Sequence, residues 1–164
     1  MSETNRFART GAVFYALWGL VHVAGAAVQL STLQAAGGVG LTAMISSARP
    51  FDPGAVGAFP EAAEGFMAMG GMNILWLGVL VTAIAVTLNW RNSRAGYWLN
   101  LVLVGATDLS LLAALLLPGY MAWSDGGIGL TLFVLALIFS TLGRRRIIRE
   151  SGSQGVREWG SRQV

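Results

Sequence analysis

Four apolar runs, Gly11 to Leu30, Gly71 to Leu88, Tyr97 to Leu117 and Ile128 to Leu142, constrain this chain more than anything else in it. Each approaches the roughly 20 residues that a helix rising about 1.5 Å per residue needs to cross a hydrocarbon core of about 30 Å. The fourth run is the shortest and gains length from residues 123–127, where Trp123, with Tyr120 nearby, suits an aromatic belt. With 54% hydrophobic and only 12% charged residues, a water-facing surface cannot be built. The fold class is therefore expected to be all-α: a polytopic membrane protein with a four-transmembrane-helix bundle. Residues 1–149 form one domain in this reading, and the polar stretch 150–164 is a mobile cytoplasmic tail.

All 11 basic residues are arginines, and 10 of them lie before the first run, between the second and third, or after the fourth. The positive-inside rule makes those stretches cytoplasmic and gives an N-in/C-in topology. Arg6 and Arg9 ahead of an apolar stretch, with Ala24-Gly25-Ala26 behind, also resemble a signal peptide. Tyr15, Trp18, His22 and Gln29 inside the stretch, and its spanning length, favour a membrane helix.

The external segment 31–70 between the first two spans is too long for a turn and is expected to be partly helical. Leu41, Met44, Ile45 and Ala48 suggest a short surface helix that Pro50 ends. Pro60, followed by Glu61 and Glu64, marks the start of the second helix, and Gly70-Gly71 marks a kink. Helix-start electrostatics account for the two glutamates without a bound cation.

Ionisable groups at membrane depth are costly and are a functional hypothesis by default. His22 lies 11 residues beyond Gly11, and Asp108 lies 11 beyond Tyr97 on a helix of the same direction. Both thus fall about 16 Å from the inner boundary. Two arrangements satisfy them: a direct His22–Asp108 pair across the first and third helices, or His22 donating to a backbone carbonyl or water while a protonated Asp108 bonds Asn100 or Thr107 on its own or a neighbouring helix.

Tyr15, Trp18, His22, Gly25 and Gln29 share one stripe of the first helix, and Asn73, Trp76, Leu80, Ala83 and Thr87 share one of the second. Together they suggest a cavity open to the outside or to the outer leaflet, with Gln29 and Asn73 at its mouth, Trp18 and Trp76 as walls, and His22 and Asp108 at its floor. The plainer reading is interhelical packing. The candidate ligand-binding set is Tyr15, Trp18, His22, Gln29, Asn73, Trp76, Asn100, Thr107 and Asp108, with His22 and Asp108 the catalytic candidates. Ala106, Ser110 and Ala114 form a small-residue ladder for a neighbouring helix of the bundle or a homodimer. Arg144 to Arg146 and Arg149 suit anionic headgroups.

No cysteine, a single histidine and the absence of phosphate-loop, HExxH and G-x-S-x-G patterns leave no metal site and no cofactor to name. Nucleic acid is not an expected partner.

In layout the chain is similar to EXPERA-type membrane proteins, which include sterol isomerases. Gly19 and His22 give the Gly-x-x-His arrangement in an early span, a long external loop follows, and Asp108 supplies an acidic residue in a later span. Position 26 is Ala where that layout has an acidic residue, and the last span lacks a buried amide, so no catalytic role is carried across.

The leading expectation is a small integral protein, of a bacterial cytoplasmic membrane by its all-arginine usage. It binds a lipophilic molecule within its bundle or packs as an accessory subunit of a larger membrane complex. The alternatives are an isomerase-type enzyme acting on a sterol-like or isoprenoid substrate through His22 and Asp108, and a small proton-coupled transporter.

Overall fold

The computed structural model describes the backbone of residues 3–161 and the side chains of residues 6–144. It is helical, with no strand among the described residues. The elements are α1 (Glu3–Ile45), a 3-10 turn (Pro53–Ala55), α2 (Glu61–Thr87), a second 3-10 turn (Asn89–Arg91), α3 (Arg94–Leu111) continued by a π-helical turn (Leu112–Leu116), and α4 (Trp123–Ser161). The stretches Arg6–Ile45, Glu61–Arg91, Arg94–Leu116 and Trp123–Arg144 are long and apolar enough to cross a membrane.

The helices outrun the apolar runs that announce them. α1 passes the predicted end at Leu30 and continues to Ile45, interrupted only at Gly37, whose φ of 64° and ψ of −171° belong to glycine alone. There Glu64 of α2 accepts a 2.6 Å hydrogen bond from the Gly38 amide. A carboxylate thus caps the restarted helix, satisfying a donor that the break orphaned. α2 starts directly after Pro60 and runs through Gly70-Gly71 as one helix. Gly71 serves packing: a Cβ there would lie 2.9 Å from the Leu30 side chain. At the end of α3 the ladder widens, with Leu117 donating to the Leu112 carbonyl at 2.9 Å, as Pro118 and the left-handed Gly119 (φ 73°) end the helix.

α1 is the organising helix. It lies antiparallel along both α2 and α4, whereas α3 meets its neighbours over shorter stretches and stands diagonally across from α1. Glycines set the close approaches, as expected where lipid is as apolar as leucine and backbone proximity drives association. Gly19 faces the Gly78 carbonyl and Thr82 of α2; Gly11 faces Ser140 of α4, and Gly143 lies 2.9 Å, measured from an added Cβ, from the Ala8 amide nitrogen. The predicted ladder is a different matter. Ala106, Ser110 and Ala114 are exposed, so they do not seat a helix of this bundle, and the Ser110 hydroxyl bonds back to the Ala106 carbonyl.

Tyr15, Trp18, Val81, Ala85, Val104 and Ala136 form the buried core, with every helix contributing. Arg9 lies over Trp90 and Arg144 over Tyr97 at one end. This end, which also carries Arg6, Arg91 and Arg94, is called the arginine-rich end below. Arg145, Arg146 and Arg149, and the side chains of the predicted tail, lie outside the described residues.

Candidate functional site

The polar seam begins with α1, where Tyr15, Trp18 and His22 follow a three-four spacing and so share one face. Because α3 stands diagonally opposite, only a long side chain spans the gap. Trp18 does so: its Nε1–H donates to the two carboxylate oxygens of Asp108 at 3.2 and 3.3 Å. Both residues are buried, Asp108 at 1% exposure and Trp18 at 0%. His22, one turn further along, stacks on the Trp18 indole with ring centroids 3.6 Å apart and planes 22° from parallel. Its Nδ1 is 2.8 Å from the Trp18 carbonyl oxygen. That contact places a proton on Nδ1, and in the neutral ring Nε2 is then an acceptor.

His22 and Asp108 are therefore brought to one place, but they do not bond each other. The indole stands between them, because an imidazole on α1 is too short to reach across the diagonal. His22 donates to a backbone carbonyl, as one of the two sequence readings has it. Asp108, however, bonds neither Asn100 nor Thr107: the Thr107 hydroxyl goes to the Leu103 carbonyl, and Asn100 is fully buried with neither side-chain polar atom hydrogen-bonded.

The α1 stripe changes character along its length. Tyr15 and Trp18 are buried, His22 is half-buried, and Gly25 is exposed with nothing within 4 Å of where its Cβ would be. Gln29, half-buried, approaches Gly71 of α2. On α4, Gly129 lets the His22 ring close in, its added Cβ lying 3.1 Å from Cε1, while Gly127, half a turn nearer the helix start, is open. Away from the arginine-rich end the α1 stripe thus passes from buried Trp18 through half-buried His22, which Gly129 contacts, to an open surface at Gly25. The same stretch of α4 carries a shallow apolar groove of about 520 Å³ lined by Trp123, Gly127, Ile128, Leu130, Thr131 and Leu132.

Two members of the sequence-derived set fall elsewhere. Asn73 is exposed and Trp76 is 63% exposed, so neither is brought to Trp18, His22 and Asp108. α2 turns Gly71, Gly78, Val81 and Ala85 inward, and at 3.6 residues per turn the 73-76-80-83-87 stripe lies on the opposite side. Gly78 and Gly129, which the sequence did not single out, prove to shape the site, as does Gly19, which the sequence marks only through its Gly-x-x-His spacing to His22. Their spacing along apolar helices was the available signal. No group of three or more histidine, cysteine or acidic residues could hold a metal ion among the described residues. No protein family, curated protein or solved structure matches the chain.

Proposed function

We propose that this chain is an integral protein of a bacterial cytoplasmic membrane, with both termini inside, that binds a lipophilic molecule bearing a hydrogen-bond donor such as a hydroxyl. The donor group meets His22 Nε2, and the apolar body lies along the open surface over Gly25. The supporting observation is the gradient along α1: the stripe opens from fully buried Trp18 to open Gly25, with His22 at the point of change holding Nδ1 on the Trp18 carbonyl, so that the neutral ring offers Nε2 as an acceptor. Apolar walls with one or two placed polar groups suit such a ligand. The orientation rests on the clustering of Arg6, Arg9, Arg91, Arg94 and Arg144 at one end. Since the chain has no cysteine, single cysteines placed at Gly57 and Asn92 report it by labelling from either side.

Native mass spectrometry of gently extracted protein tests the binding claim. Wild type retains a lipophilic mass that His22→Ala, still folded, has lost. An equal retained mass in both, or none in either, contradicts the reading.

A second reading, acid–base isomerisation of a sterol-like or isoprenoid substrate, is favoured by one fact: His22 and Asp108 both touch the same indole, which could steady a cationic intermediate. It requires product to form from added substrate and to cease forming in Asp108→Asn.

A further inference from the structure

The arginine-rich half of the bundle contains a second cluster of polar groups that the Trp18–His22–Asp108 site does not use. Tyr15 Oη, both side-chain polar atoms of Asn100, Asn89 Oδ1 and Ser140 Oγ are buried and make no hydrogen bond within the protein. Tyr15 and Asn100 are at 0% exposure, Asn89 at 5% and Ser140 at 6%. Buried polar groups are almost always bonded to something, and several orphans in one bundle are a pattern that needs a ligand.

Three features place the groups in one half of the molecule. Asn100 lies two turns from Asp108 toward the arginine-rich end, about 12 Å at 1.5 Å per residue. Gly96, one turn further, lets Asn89 approach until its Oδ1 is 2.5 Å from the site of an added Cβ. Ser140 faces Gly11, one turn before Tyr15 on α1, and tyrosine side chains on helices lean toward the N-terminus, here the arginine-rich end. Between Ala8, Asn89, Asn92, Ser93, Tyr97 and Ser140 there is a cavity with about 10 Å³ of room for water centres, enough for one molecule.

We propose that this half of the bundle is a built site for ordered water, entered from the arginine-rich end, in which one molecule bridges Asn89 Oδ1 and Ser140 Oγ and others satisfy Asn100 and Tyr15. The chemistry of the lining selects water over an ion. A cation meets the charge of Arg144, whose guanidinium lies 4.8 Å over the Tyr97 ring that borders the cavity. An anion meets Asn89 Oδ1, an acceptor. Water supplies both donors and acceptors. The inference is independent of the lipophilic ligand, because it uses neither His22 nor Gly25. It leaves the layer of Val81, Ala85, Val104 and Ala136 as the dry partition between the water and Asp108.

Water-edited solid-state NMR on the full chain, uniformly ¹³C,¹⁵N-labelled, in phosphatidylethanolamine–phosphatidylglycerol bilayers reads this directly. Magnetisation from water is expected to reach the Asn100 side-chain amide as fast as it reaches Asn92. A lag matching the backbone of Val104 overturns the proposal. Assignment comes from loss of the signal in Asn100→Leu or, should that variant not fold, from a sequential backbone walk. Thermal unfolding of Asn100→Leu gives a second reading: a hydrated site predicts a lower Tm, since leucine displaces water and strands Tyr15 Oη, while a raised Tm marks a dry interior relieved of an unpaired amide and contradicts the proposal.

Discussion

The two sides of α1 are built by opposite means. Toward α2 and α4 it presents glycine and alanine, so that backbones nearly touch: Gly19 on Gly78, Gly11 on Ser140, Ala8 on Gly143. Toward α3 it presents Tyr15 and Trp18, whose long side chains cross a gap that no backbone closes. The first side is a close-packed seam with few ways to rearrange. The second holds the buried carboxylate of Asp108, the buried amide of Asn100 and the buried phenol of Tyr15. In a bilayer, where the hydrophobic effect does not press helices together, close packing and hydrogen bonds divide the work. Here they divide it by face, so the tight side fixes α1 while the open side is left for chemistry.

The contrast breaks most completely at the tight side. Gly19→Leu drives a side chain into the Gly78 carbonyl, where an added Cβ is already 2.5 Å away. Overpacking of this kind costs about 3 kcal/mol or more, and the expected outcome is loss of the folded species in size-exclusion chromatography. The next effect marks where the packed helix changes direction. Gly37→Ala forces an L-residue into a glycine-only conformation at a cost of about 1–3 kcal/mol, read as a lowered midpoint in thermal unfolding.

On the open side the effects are smaller, because the bond rather than the backbone is at stake. A double-mutant cycle of Trp18→Phe and Asp108→Leu should return a coupling of about 0.6–1.7 kcal/mol, the range for interhelical hydrogen bonds in bilayers. A coupling of zero in steric-trap or denaturant unfolding removes the bridge. Smallest of all, Asn73→Leu and Trp76→Leu lie on neither side and should each change stability by less than about 0.5 kcal/mol. A large loss in either variant would return α2's outward stripe to the core.

The spans and the α1 stripe were legible because hydropathy marks membrane length, and because aromatic and ionisable residues at a three-four spacing are rare enough to notice. The α2 stripe was misread for a physical reason. Lipid is as apolar as a protein core, so Trp76 facing outward carries no penalty that a sequence would register. The inward face is betrayed instead by Gly71 and Gly78, seven residues apart. The ladder Ala106, Ser110 and Ala114 misled in the same way: small residues permit a close approach without saying whether this chain makes it. The depth match of His22 and Asp108 was readable, but the diagonal placement of α1 and α3 was not. That placement decides that an indole, rather than a direct contact, joins them. Asn100 was singled out as a partner for Asp108, yet eight residues of helix separate the two by about 12 Å.

The claim on which the rest depends is that Trp18 carries the link between α1 and Asp108. Indole ¹⁵N–¹H NMR of the protein in nanodiscs tests it, since the chain has six tryptophans and Trp18→Phe identifies the relevant resonance. In Asp108→Leu that resonance should move upfield in proton shift as its hydrogen bond is lost, with the other five left in place. A Trp18 signal unmoved by the substitution would contradict the account.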